Sequence, residues 1–369
     1  MKYIDDWSKR KERLLAFWEQ EIVDRCCISV LAPGRNMSKE EFYLNSKGGI
    51  YATCKTEEDK VRMWTDPESI AKRRRAFFEK AFLGGDTIPQ IFVDLGAGGH
   101  GGFFKGSKYQ FEDSVWFHPF LTEETAKLSD LIFDRSSFLY QKTIEMAKYF
   151  VEDSGGDYFV SMPDATGNID ALAHARGSLA VLTDLIEDRE FVKEALAYIQ
   201  EMWFTLYNEY YPIVSENNEG GSSIGWLNSY STGKTICMQC DMSVMFSAND
   251  FEELIMPELR AQTDWADRSI YHFDGIEQIR YLPMLLDLKE LDAIQWTCVA
   301  GQPSPLEYLP ELKKIQAAGK SIVIWPSKLS EIEPLLENLS SKGLIVLAYT
   351  YSQDEAEQLI RLAEKHTHE

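Results

Sequence analysis

Apolar positions along the chain follow two alternating rhythms. Short runs rich in β-branched and aromatic residues are separated by longer stretches in which apolar residues recur at helical spacing. Eight runs read as strands: Cys26–Leu31, Pro89–Asp94, Tyr158–Met162, Thr235–Asp241, Ser269–Asp274, Ala293–Cys298, Ser321–Trp325 and Leu344–Tyr349. Helical periodicity marks Pro67–Phe82, Thr122–Val151, Arg189–Val214, Asn249–Asp267, Pro305–Ala318, Glu331–Leu339 and Asp354–Lys365. Asp66 and Thr122 stand where N-caps belong, and Gly319 and Gly343 where left-handed C-caps belong. Ser222–Tyr230 reads as an extra strand. Strands alternating with helices predict an α/β fold with a parallel sheet. Eight of them favour a closed (β/α)8 TIM barrel over an open sheet, because closure removes the exposed edges. Residues 1–25, with Trp7, Leu14, Leu15, Phe17 and Trp18 on an amphipathic pattern, form an N-terminal helical extension. Residues 26–369 form one barrel with insertions.

Composition narrows the partners. The chain of 369 residues carries a formal charge of −21, a field that repels phosphate backbones and anionic membranes. A small-molecule substrate is expected; nucleic acid and membrane are not. The early charges interrupt any secretory apolar run, and no stretch of about 18 apolar residues exists to span a bilayer. Six cysteines in a chain of this length make no disulfide framework, which predicts reduced thiols and a cytoplasmic setting.

In barrels of this kind the site is built at the C-terminal strand ends. In SIYHFDG, His272 and Asp274 are two apart on a strand, so both point to one side and converge on one metal ion or one proton. Asp241 and Gln239 end another strand in TICMQCDMS, where Cys237 and Cys240 read as small core residues rather than a metal clamp. Asp94 ends PQIFVDLG ahead of a glycine-rich loop that includes His100 and reads as a substrate-lining loop. Arg35, Arg176 and Arg280 are candidate partners for a substrate carboxylate. Arg73, Arg74 and Arg75 lie on a helix and read as a solvated face. Gln295, Trp296, Trp325 and Tyr349 fall at strand ends as candidate pocket walls.

Several stretches carry a family resemblance: APGR, IFVDLG, MPDATGNIDALAHARG, QCDMSVMFSANDFEELIMPEL and SIYHFDGIEQIRYLPMLLDLKELDAIQW. Over most of residues 25–365 the chain resembles the uroporphyrinogen decarboxylase superfamily, in the branch near methylcobalamin:coenzyme M methyltransferases. The resemblance implies the same barrel and two chemistries. Of the decarboxylase arginine loop only Gly34-Arg35 is present, although Asp94 stands where that branch has its essential aspartate. The methyltransferase branch holds zinc through a His-x-Cys motif and a later cysteine. Here His272 matches the histidine, Asp274 replaces the first cysteine, and no cysteine follows Cys298, whose strand parity points it away. The resemblance therefore implies zinc or another divalent metal on His272 and Asp274, with Asp241 as a further ligand. It also implies a corrinoid as substrate or carrier, a corrinoid protein as partner, and a homodimer. Three readings stay open: a methyltransferase-like enzyme with Asp94 and Asp241 handling protons, a metal-free decarboxylase, and a non-catalytic tetrapyrrole- or corrinoid-binding barrel.

Overall fold

The structure is a computed structural model, described for residues 1–123, 126–297 and 299–369. Each of the eight apolar runs overlaps a strand, although the first strand runs on to Pro33 and the fifth begins at Arg268. These are β1 (Cys27–Pro33), β2 (Gln90–Ile91), β3 (Phe159–Val160), β4 (Thr235–Met238), β5 (Arg268–Phe273), β6 (Ala293–Trp296), β7 (Ser321–Ile324) and β8 (Leu344–Tyr349). Parallel ladders join β4 to β5, β5 to β6, β6 to β7, β7 to β8 and β8 to β1. The short pair β2–β3 is also parallel but forms a separate sheet. The result is a mixed α/β molecule with a central parallel sheet and many helices.

No closed ring of ladders joins the eight strands among the described residues, and each gap has a local cause. Ala81–Gly85 leaves its helix early and pairs antiparallel with β1, taking the edge where β2 would have docked. Near the other gap, Ser222–Ile224 and Ser229–Ser231 form a hairpin rather than the single strand expected. Its Ser223 carbonyl accepts from Met162 N–H at 2.8 Å, just past β3, while Ser222 Oγ accepts from Thr235 N–H of β4 at 2.7 Å. Asn228, in the left-handed region at φ 48°, bridges the first gap from the hairpin turn. Its amide donates to Ser29 Oγ and the Asp86 carbonyl and accepts from Ile88 N–H.

The helices mostly follow their periodicity. Trp7–Trp18 buries Leu14, Phe17 and Trp18, and the Trp18 indole donates to the Tyr230 carbonyl. The helix expected from Thr122 begins instead at Phe138, with residues 124–125 outside the described residues. Residues 132–134 bond instead to the 103–105 segment, Lys105 N–H donating to the Ile132 carbonyl and Asp134 N–H to the Phe103 carbonyl, and the Asp134 carboxylate then accepts from Ser136 N–H and Oγ in a turn just ahead of the helix. Gly319 takes the left-handed conformation just past a helix, as expected. Gly343, also left-handed, sits in the turn before β8 rather than at the helix end. No helix among the described residues is long and apolar enough to cross a membrane.

Candidate active site

A cavity of about 900 Å³ opens inside the molecule. Strand ends, the loop after β2, the turn of the Ser222–Ser231 hairpin and the helix Pro67–Lys80 (the fifth α-helix in chain order, hence α5) all line it. Its walls are largely apolar, with Ile70, Phe77, Phe92, Trp226, Trp325 and Leu347 among them. Small polar or charged groups in an apolar hollow of this size are the usual make-up of a ligand site.

One side is acidic. Asp241 follows β4, and His272 and Asp274 lie at the end of β5 with His272 Nε2 3.8 Å from Asp274 Oδ1. One donor atom from each of Asp241, His272 and Asp274 lies within 4.8 Å of the others. Gln295 Oε1 accepts from His272 Nδ1 and from Thr297 Oγ1, the latter at 3.1 Å. That bond fixes the tautomer and leaves the Nε2 lone pair free on the side of Asp274. Burial lowers the imidazole pKa, so the ring is neutral near pH 7. The Trp226 indole meets it edge-on at 5.2 Å.

Asp164, just beyond β3, and Asp241 are raised to about 7. Burial is the main cause for both, followed by Asp94 beside Asp164 and by Asp274 and Asp164 beside Asp241. An Oδ1 atom of each is buried without a hydrogen-bond donor. Behind them Asp170 accepts from the Asp241 and Met242 N–H groups at 3.0 and 2.8 Å, which holds the start of the loop after β4. The loop after β2 needs its glycines. Gly96 adopts φ +80° and donates to Asp94 Oδ1, and a Cβ on Gly99 would stand 2.4 Å from the Asp164 carbonyl oxygen.

The other side is basic, and sequence reasoning missed it. Arg73 and Arg74 line the cavity from α5 instead of facing solvent; only Arg75 turns away, to Asp153, Asp157 and the Tyr3 hydroxyl. The periodicity of α5 carried no sign of this, because the apolar surface it faces is a hollow and not a packed core. Lys47 also lines the cavity, paired with Asp94.

The expected site residues divide accordingly. Asp94, Gln239, Asp241, His272, Trp325 and Tyr349 line the cavity, and Asp274 adjoins it through His272. Gln295 is buried behind His272 and acts on it rather than on the cavity. Trp296 is not a wall: it is buried against Phe273, stacked at 5.0 Å, because strand alternation turns it to the opposite face from Gln295. Arg35 is on the surface, held by Asp354 and Glu357 at 3.3 and 3.4 Å. Arg176 pairs with Asp184, and Arg280 donates to the Ser243 and Val244 carbonyls. His100 is buried, and burial lowers its pKa to about 3. Cys237 and Cys240 are buried thiols whose pKa burial pushes well above the ordinary value, and neither belongs to the cluster of Asp241, His272 and Asp274. Cys298 lies outside the described residues.

No protein-family model and no curated protein matches the chain. Among solved structures it is similar to a methyltransferase from Methanosarcina mazei, with 15% identity and a TM-score of 0.59. The likeness spans 96% of this chain and 98% of the other, so the two share a fold along nearly their whole lengths.

Proposed function

We propose that the chain is a methyltransferase-like enzyme of the uroporphyrinogen decarboxylase superfamily, built on a (β/α)8 barrel with two open seams. Its reaction moves a methyl group between a small substrate, or a corrinoid carrier, and an acceptor bound in the cavity. The observation that carries this reading is the convergence of Asp241, His272 and Asp274 at neighbouring parallel strand ends beside the cavity. The fold shared with a methyltransferase supports it at a coarse level.

The donor set fits a divalent cation. Two carboxylates and a neutral imidazole supply ligands of the kind found in open catalytic sites, and an orphaned Asp241 oxygen is what a cation would satisfy. Carboxylates in place of thiolates shift the preference toward harder ions such as manganese, while zinc still accepts oxygen ligands. When bound, such an ion lowers the pKa of an acceptor hydroxyl or thiol and so raises its nucleophilicity. The chain's own residues do the rest. Gln295 and Thr297 hold the imidazole in one tautomer, and Trp226 fixes its ring. Asp164, poised near pH 7, takes or returns a proton at its free Oδ1.

Metal analysis tests the reading. Protein purified without chelators should hold about one divalent ion per chain, and His272→Ala should lose it. A wild type that stays metal-free after incubation with zinc or manganese sinks the metal-centred mechanism. Transfer of a deuterated methyl group from methylcobalamin to an added thiolate, which breaks the Co–C bond, forms the thioether and releases cob(I)alamin, followed by mass spectrometry of the thioether, then tests the group moved. One observation favours metal-free decarboxylation as a second reading: Asp164 and Asp241 are two buried acids poised near neutrality, as proton transfer to a carbanion requires.

A further inference from the structure

Charged groups inside a protein are ordinarily paired, because an unpaired buried charge is costly. Arg73 and Arg74 break that rule. Arg73 makes no side-chain hydrogen bond or ion pair among the described residues, and its Nε is buried without an acceptor. Arg74 reaches only the Gln90 carbonyl, at 3.5 Å, and otherwise lies over the rings of Phe77 and Phe78 at 5.0 and 4.8 Å. The five N–H donors of each guanidinium are thus almost wholly unspent on the chain itself.

The cavity acids do not supply the missing partners. Asp94 is taken by Lys47, Asp66 acts on Arg73 without an ion pair, and the nearby Cys54 thiol and Tyr349 phenol, both raised in pKa, carry no charge at neutral pH. Burial lowers both arginines below their ordinary pKa, Arg74 to about 10, so both stay charged at neutral pH. In a chain of charge −21, two free guanidinium groups facing one hollow are an exception that calls for an anion. Beside them the wall is apolar: Ile70, Phe77, Phe78, Met63, Ile88 and Met146.

We infer that Arg73 and Arg74 are the acid-binding end of the cavity, and that its ligand is an organic acid with an apolar body. The two guanidinium groups take the acid group, the body lies along the aromatic wall, and the remaining end reaches toward His272. This deepens the proposed function and rests on it only in treating the cavity as the substrate site.

Binding of 2-naphthoate, compared with uncharged 2-naphthalenemethanol by calorimetry, tests the inference. The wild type should prefer the acid at least about tenfold. Arg73→Gln and Arg74→Gln should each weaken the acid about ten- to a hundredfold, the range for hydrogen bonds to charged groups. Both should leave the alcohol within about twofold, which also shows the variant cavities intact, and Arg74→Lys should keep part of the preference because it keeps the charge. Equal affinity for acid and alcohol in the wild type, no binding of the acid, or variants that weaken both ligands alike would overturn it. Metal content separates the two readings. A metal-free wild type that still prefers the acid sinks the metal site and supports this inference. A metal-loaded one indifferent to the acid group does the reverse.

Discussion

The same residue types are used in opposite ways at the two ends of the sheet. At the start of β1, Asp86 is wholly buried and accepts from Arg13 at 3.1 Å, Arg25 at 2.6 Å and Ile28 N–H at 2.9 Å. Arg13 is also forked onto Asp24 at 2.6 and 2.7 Å. Here every charge meets an opposite one, although Arg25 Nε finds no acceptor, and together they tie the first helix to the sheet. At the other end Arg73 and Arg74 face the cavity from α5, while Asp164 and Asp241 face it from the strand ends, and each set keeps unspent atoms. An unmet polar atom in a buried place is an energetic cost that folding alone does not explain. The end saturated in charge pairs is architecture, and the end whose charged groups lack such pairs is where a ligand completes the bonding.

If that contrast is right, breaking the saturated cluster must cost most. Asp86→Ala leaves the buried Arg25 guanidinium with only the Cys26 carbonyl, while Arg13 keeps Asp24, and should lose about 3–5 kcal/mol, the range for halving a buried ion pair. Urea unfolding at pH 7 would show it as a lower midpoint with an unchanged slope. A loss below about 1 kcal/mol would mean that Arg25 finds other acceptors, and the contrast would weaken.

The opposite sign is expected at the cavity. Asp164 is raised to about 7 by burial and by Asp94, so the folded state holds its proton more tightly than the unfolded chain does. Its contribution to stability is complete below the unfolded value of about 4 and is lost as pH rises through about 7. Asp164→Asn removes that loss. The variant should match the wild type near pH 4 and be more stable at pH 8, by on the order of 1–3 kcal/mol. Thermal melts across this range decide the matter, and a variant less stable at pH 8 would place Asp164 among the architectural acids. Activity should fall in the same variant, because the proton it holds is the one proposed for use.

How far the residues announced all this depends on which interaction sets each feature. Strand positions were legible, since β5 to β8 are runs with apolar residues facing both ways and bounded by turns. The strand ends then pointed to Asp94, Asp241, His272 and Asp274 by rule. What stayed hidden were choices made in three dimensions. Ala81–Gly85 has nothing in its sequence that says it will pair with β1 rather than end a helix. Trp226 reaches His272 only because a hairpin turn carries it there. Arg73 and Arg74 read as a solvated face because periodicity reports which side of a helix is buried, not whether the facing surface is filled. Parity within one strand did hold the information that separates Gln295 from Trp296.

The smallest effect belongs to Arg35, and it sharpens the comparison because its chemistry is that of Arg74. Both are arginines, and of the two it was Arg35 that the sequence offered as a partner for an acid. Arg35, however, is well exposed and already held by Asp354 and Glu357. Water screens that contact, so its removal frees nothing buried and leaves no donor stranded. Arg35→Ala should shift the melting temperature by less than about 1 °C. It should leave the preference for 2-naphthoate over the alcohol unchanged, while Arg74→Gln abolishes most of it. If Arg35→Ala weakens the acid as much as Arg74→Gln does, long-range charge and not an unspent guanidinium governs binding. The distinction between saturated and unsaturated ends would then lose its force. If only Arg74 matters, the position of the unmet donor, rather than the presence of an arginine, is what selects the ligand.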